Sequence, residues 1–488
     1  MSVLTKLSTG VPGLDSLLHG GIPEGRAALV TGRSGTGKTV LSLQIAASLA
    51  RQGLPTILMA VEESPDDLLQ TGDSLDLDLT SLVAGGRLLI ADVNRPDDGP
   101  VVQSGEYDVF GLIHRLEALA ARHAAKALVL DSATALFSPR PPDERMRQHF
   151  FHLVSTFRRL GLTSVVVAES NEDYGSLTTL GVEDFVCDLT IVLHNIIDGG
   201  RRRRSIEINK YRRSAHFKGE YPCTVTRKGL AVFPVDAKEY PQELEAIERY
   251  SSGVAGLDEM TAGGWLRNSI VIVRGPTGAG KTILAGIYAR AGAQRGERVV
   301  YYGFEETRAT LLRNYEQLGL DMSPYVEAGN LRVICRYPEA TSLEDLLVNI
   351  RTDLEEYKPS LIVLDSISSI EHASSPSGFR QFLIGMASIL RQHGRSALVT
   401  QTVMAGQAAK RAAPFLSTIA DAILALDYVP SSYELDRMIR VIKSRGSSHA
   451  RYPYALEIAD GGIVVERMPP EDAPHFGLRA RQSRDNQL

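Results

Sequence analysis

The chain has 488 residues, 43% of them hydrophobic and 23% charged, which is more than one ordinary core holds and implies two domains or more. A net charge of −5 argues against a surface built wholesale for nucleic acid, although Arg201 to Arg204 form a local basic run. Cys187, Cys223 and Cys335 are far apart and odd in number, so they form neither a disulfide framework nor a metal-ligand pattern.

In chain order, MSVLTKLSTGVPGLD has no basic region followed by an apolar run, so no signal peptide is expected. No apolar stretch approaches the roughly 20 residues needed to span a bilayer, so no membrane partner is expected, and the cysteine pattern points to a reducing cytoplasm. AALVTG reads as a buried strand, GRSGTGKT as a glycine-rich loop and KTVLSLQIAASLA as a helix. The loop fits G-x-x-x-x-G-K-[ST]. Gly32, Ser34, Gly35, Thr36 and Gly37 would let backbone N–H groups converge on phosphate oxygens, with the positive end of the helix behind them. Lys38 would reach the β- and γ-phosphates of ATP, and the Thr39 hydroxyl would ligate Mg²⁺. A glycine-rich turn that merely links strand to helix is the plain alternative.

TILMAVEE reads as the next strand and carries Glu62 and Glu63 at its end. A carboxylate there can orient or deprotonate the group that attacks the γ-phosphate. A solvated strand end or the acidic first turn of a helix would look the same. ALVLDS is a strand delivering Asp131 to the carboxyl edge of a sheet, the Walker B position beside Mg²⁺. SVVVAES is a further strand. INKYRRSAH follows, with Lys210, Arg212 and His216 in a basic segment.

At Tyr250 the pattern begins again. The register that places Lys38 on Lys281 also places Glu62-Glu63 on Glu305-Glu306. After loop-sized gaps, Asp131 falls on Asp365 and Lys210 on Lys443. The second loop, GPTGAGKT, supplies Gly275, Thr277, Gly278, Ala279, Gly280, Lys281 and Thr282, the last as metal ligand beside Asp365. Two such loops at one repeat position, each between a strand and a helix, are not coincidence. The chain is a tandem duplication. Each copy alternates strands with helices, which predicts an α/β fold with a mostly parallel sheet covered on both faces. Pro234 and Pro241 bracket the boundary, giving domains 1–240 and 241–468, followed by a mobile tail over 469–488.

Late in the second copy, APFLSTIADAILAL carries adjacent hydroxyls at Ser417 and Thr418. The register that pairs Lys210 with Lys443 puts Asp184-Phe185 opposite them. A structural need shared by both copies would have left a small polar residue in each. A cap or turn remains the plain alternative.

The doubled loops, the doubled Glu pairs, YRRSAHFKGEYP and FLSTIADAI together resemble the KaiC family of circadian clock proteins, within the wider RecA-like group, over the chain up to about Met468. The resemblance implies two RecA-like P-loop domains in a two-tiered homohexamer, with ATP at subunit interfaces. It implies ATP hydrolysis in the first domain and a serine/threonine autokinase and phosphatase in the second. It maps the family's phospho-acceptors onto Ser417 and Thr418. It maps cations that reach a neighbour's nucleotide onto Lys210, Arg212 and His216, and onto Lys443 and Arg445. It favours Glu62 and Glu305 as the base of each pair. GEYDVFGLIHRLEAL resembles the region that takes a KaiB-type partner. The sequence departs from the family at Ala412 and Ala413, where further hydroxyls are usual, at Ser448 for an aromatic, and at Arg213 for a glycine. Its tail does not match the segment that takes the stimulatory partner. A nucleotide-gated signalling scaffold and a RecA-type nucleic-acid motor are the other functions compatible with such a core. The acidic balance and the lack of an appended DNA-binding signature weigh against the motor.

Overall fold

The computed structural model describes residues 4–93, 109–137, 143–174, 178, 183–234, 248–408, 414–430 and 435–468. Ala412, Ala413, the tail over 469–488 and the first part of GEYDVFGLIHRLEAL lie outside them. The chain divides into two compact units, Met1–Asp236 and Ala237–Leu488.

The first unit is built on a nine-stranded sheet: β1 (Ala27–Gly32), β2 (Thr56–Ala60), β3 (Leu88–Asp92), β4 (Ala127–Asp131), β5 (Thr163–Glu169), β6 (Leu189–Asp198), β7 (Arg201–Tyr211), β8 (Glu220–Thr226) and β9 (Gly229–Val232). The spatial order is β9-β8-β7-β6-β1-β5-β4-β2-β3. Strands β6 to β3 across the centre are parallel, while β6 to β9 form antiparallel hairpins. β1 is buried at every position, as a central parallel strand covered on both faces must be. One face packs on α1 (Lys38–Arg51), whose Leu41, Leu43, Ile45 and Leu49 are fully buried. The other face buries Leu29, Ile57 and Leu128 against Leu116, Phe150 and Phe157 from the helices Val109–Arg122 and Asp143–Arg159.

The second unit repeats the plan with β10 (Ile270–Gly275), β11 (Val299–Gly303), β12 (Leu331–Cys335), β13 (Leu361–Asp365), β14 (Ser396–Thr402), β15 (Ala422–Pro430), β16 (Leu435–Ser444), β17 (Tyr454–Ala459) and β18 (Gly462–Arg467). Its order, β12-β11-β13-β14-β10-β15-β16-β17-β18, is the same arrangement strand for strand. Register explains what meets at the carboxyl edge. Gly32 pairs with Glu169, and Ala60 with Asp131. Gly275 pairs with Thr402, and Gly303 with Asp365. Parallel strands that end level bring the phosphate loop, the acidic pair and the Walker B aspartate to one edge, where open α/β sheets take ligands.

Candidate nucleotide-binding sites

Each glycine loop runs from a strand into a helix whose N-cap is a left-handed glycine, Gly37 (φ 105°) before α1 and Gly280 (φ 101°) before α2 (Lys281–Gln294). A side chain is disfavoured at such a φ, so the loop's turn into the helix needs glycine. Gly32 is also forced: a Cβ there would lie 2.3 Å from the Leu193 carbonyl oxygen. Lys38 Nζ donates to the Arg33 carbonyl at 3.0 Å and lies 3.6 Å from Glu169. Lys281 Nζ donates to the Pro276 carbonyl at 2.8 Å, and burial lowers its pKa. Thr36 and Ala279 are buried, and the Thr36 hydroxyl closes the loop on the Arg33 carbonyl at 2.8 Å. The antiparallel hairpins brace both loops. Asn195 donates to the Gly35 carbonyl at 3.2 Å, and Tyr428 to that of Thr277 at 3.0 Å.

Of the Walker B aspartates, Asp365 is buried and Asp131 half-buried, and desolvation first of all pushes both carboxyls above the ordinary Asp range. Asp131 accepts hydrogen bonds from Ser42 at 2.9 Å and from Thr39. Asp365 accepts from Thr282 at 3.3 Å and from Tyr301 at 2.6 Å. The peptide bonds after both aspartates are cis.

The following serines, buried, reach the acidic pairs: Ser132 donates to Glu62 Oε1 and Ser366 to Glu305 Oε1, each at 2.6 Å. Ser369 adds a second bond to Glu305 Oε1 at 3.0 Å. The second member of each pair is placed differently. Burial, then the charge of Asp131, raises the Glu63 carboxyl, while Glu306 takes Asn314 at 2.9 Å. Each pair stands just before a capped helix, Ser64 over Pro65–Ser74 and Thr307 over α3 (Arg308–Gln317). The carboxylates therefore sit in the strand-to-helix turn rather than inside either element.

In the second unit Thr277, Gly278, Lys281, Thr282, Glu305 and Asp365 line one cleft. Its donor set suits Mg-ATP. Backbone amides and a lysine would meet phosphate, and two hard oxygens, Thr282 Oγ1 and Asp365 Oδ1, stand 3.3 Å apart. Among the described residues no group of three or more His, Cys, Asp or Glu could hold a metal ion by itself. Magnesium takes one or two protein oxygens and completes its shell from phosphate and water.

Ser417 and Thr418 lie on α4 (Pro414–Ile419), Thr418 exposed and Ser417 half-buried. Lys443 donates to the carbonyls of Ser417 and of Ala420, the latter at 2.7 Å, and Arg391 to that of Ile419 at 2.7 Å. In the first unit Arg158 and Arg212 do the same for Val186 and Phe185, at 2.8 and 2.9 Å. Arg445 lies 3.8 Å from Asp421. His216 is half-buried, which lowers its pKa, and Lys210 lies near the end of β7.

Sequence reasoning passed over Glu169, Ser132, Ser366, Ser369 and Tyr301. The two serines immediately after the aspartates could have been found, because both copies carry "DS". Tyr301 stood in VVYYGFEE, which read as a buried strand.

The chain matches the KaiC ATPase family model twice, over residues 7–237 and 250–469. It is 38% identical over 463 residues to the circadian clock oscillator protein KaiC of Picosynechococcus sp., covering 94% of this chain and 89% of that protein. It is 38% identical to KaiC 1 of Synechocystis sp., over 91% of this chain and 86% of the relative. It is 36% identical to KaiC of Parathermosynechococcus lividus, over 95% and 85%.

Proposed function

The chain belongs to the KaiC family of ATPases, and on that premise we propose that its first site hydrolyses ATP while its second transfers the γ-phosphoryl group to Ser417 and Thr418. The observation that carries the reading is the second cleft, where Glu305 stands beside Lys281, Thr282 and Asp365. Ser366 and Ser369 both occupy Oε1 of Glu305, which turns Oε2 into the oxygen for the acceptor.

In the step, Oε2 of Glu305 takes the proton from the acceptor hydroxyl. The hydroxyl oxygen bonds to the γ-phosphorus as the bond to the bridging oxygen of ADP breaks. Lys281 and the loop amides hold the phosphates. Mg²⁺, held by Thr282 and Asp365 or by Thr39 and Asp131, would neutralise charge on the phosphate oxygens. The acceptor comes from a neighbouring copy in a homohexamer, whose Lys443 and Arg445 stabilise the transferring group as an arginine finger does. At the first site water replaces the acceptor hydroxyl, Glu62 replaces Glu305, and the neighbour's Lys210, Arg212 and His216 face the nucleotide. A KaiB-like partner docking on the first domain belongs to the same reading.

The test is phosphosite mapping of the assembled protein after incubation with Mg-ATP. Phosphate is expected on Ser417 and Thr418. In Glu305→Gln its rate of appearance should fall by about 10²–10⁴, the usual contribution of a general base. An assembled parent protein with neither residue phosphorylated removes the kinase half and leaves the ATPase.

A further inference from the structure

The two units hold the same carboxylate by different means. In the first, Ser42 on α1 donates to Asp131 at 2.9 Å. In the second, Ala285 stands at the position of Ser42, and the bonds come from the two neighbouring strands instead. Tyr301 on β11 donates to Asp365 Oδ2 at 2.6 Å, and Thr400 on β14 donates to Oδ1 at 2.5 Å. The Tyr301 hydroxyl also lies 3.0 Å from that of Tyr315 on α3. Tyr315 in turn donates to the main-chain carbonyl of Thr282 at 2.7 Å. The rings meet edge to face, with centroids 6.3 Å apart.

This chain of hydroxyls is sealed in the core, with Tyr301 0% and Tyr315 2% exposed. Phenylalanine would fill the same space. A buried phenol that lacks a partner keeps the full cost of its desolvation, so the hydroxyls need the partners they have. Those partners are the carboxylate of Asp365 and the main chain of Thr282, and these two residues would hold magnesium. The surroundings were built to match: Gly286 faces Tyr315, where a Cβ would lie 2.2 Å from the ring. The register puts Leu58, Gly72, Leu43 and Val167 opposite Tyr301, Tyr315, Gly286 and Thr400, so the first copy has none of this set. Asn314, next to Tyr315 on α3, holds Glu306 at 2.9 Å. One helix thus braces Glu306 and the main chain of Thr282 together.

We propose that Tyr301 and Tyr315 are positioning residues that fix Asp365 and the first turn of α2 for the magnesium–nucleotide complex of the second site. Tying Oδ2 to Tyr301 leaves Oδ1 facing the Thr282 hydroxyl, and tying the Thr282 carbonyl to Tyr315 stops that hydroxyl from moving away. A pair held in place needs less reorganisation on binding. The inference rests on the second cleft being a nucleotide site and not on phosphoryl transfer.

The experiment uses the full chain carrying Lys38→Ala, so that binding of a fluorescent ATP analogue reports the second site. Free magnesium is titrated with a chelator buffer, and the half-saturating concentration is read. Tyr301→Phe and Tyr315→Phe are each expected to raise it about tenfold or more, the usual effect of removing a group that orients a metal ligand. The double variant should raise it by less than the product of the two, because both hydroxyls belong to one chain. A midpoint within twofold of the parent in both variants overturns the proposal, even if the melting temperature drops. Should Tyr301→Phe not fold, Tyr315→Phe alone decides in the same way. A Lys281→Ala control that still binds the analogue as tightly as the parent refutes the site itself, an outcome distinct from either.

Discussion

Arg213 has φ 65°, and Gly446, its counterpart in the second copy, has φ 68°. The turn after each long antiparallel strand demands a left-handed residue, and only one copy supplies glycine there. An L-residue with a Cβ in that region is strained by about 1–2 kcal/mol. The Arg213 side chain is exposed, so little packing offsets the strain. Arg213→Gly should therefore stabilise the first unit by about 0.5–1 kcal/mol after the added freedom of glycine in the unfolded chain is subtracted. Denaturant unfolding followed at the first unit would register the gain, and a loss of stability would contradict it. The sequence marked this position as unusual, but only the backbone angle says what the departure costs. The same holds for the acidic pairs. Spacing brought Glu62, Glu63, Glu305 and Glu306 to one edge and the resemblance favoured the first of each pair, whereas the different partners of the two members, Ser132 and Ser366 against Asn314, are legible only in space.

At the scale of elements, the apolar runs declared themselves because central parallel strands are buried on both faces. AALVTG, ALVLD and LIVLD are strands as read. What the runs concealed is which residues within them do more than fill space. VVYYG is a strand with Tyr301 fully buried, and nothing in its one-dimensional pattern separates a phenol that orients a carboxylate from one that packs. The short helix α4 was equally opaque, because its end is capped from far along the chain. Lys443 and Arg391 supply the donors its last carbonyls lack and place positive charge at the negative end of the helix. Lys443→Met removes one of the two caps. In the nucleotide-free protein, amide hydrogen exchange over α4 should quicken by roughly tenfold, as expected when about 1 kcal/mol of local stability is lost. Unchanged exchange there would mean that Arg391 suffices and that Lys443 serves only the nucleotide.

Duplication gave the molecule two equal frames, and the copies have since diverged in how those frames are secured. In the second unit Glu297 accepts from Arg267 at 2.7 Å and from Arg295 at 3.1 Å, and both guanidiniums lie over the Tyr250 ring at 4.8 and 5.5 Å. The register places Glu24, Gln52, Leu54 and Leu7 at these positions in the first unit, so no such cluster is formed there. Burial acts to raise the Glu297 carboxyl, but the hydrogen bonds from Arg267 and Arg295 outweigh it, and the pKa falls below its ordinary 4.5. A depressed carboxyl binds fewer protons folded than unfolded. Its stabilisation is therefore present above pH 4.5 and is lost as the pH falls through the folded value. Glu297→Gln should lower the melting temperature of the second unit at pH 7. The gap between parent and variant should close progressively below pH 4.5, and the first unit should show no difference at any pH. Calorimetric scans of both proteins across that range would read this directly. A gap that persists undiminished in acid would mean that the glutamate stabilises the second unit through its packing rather than its charge.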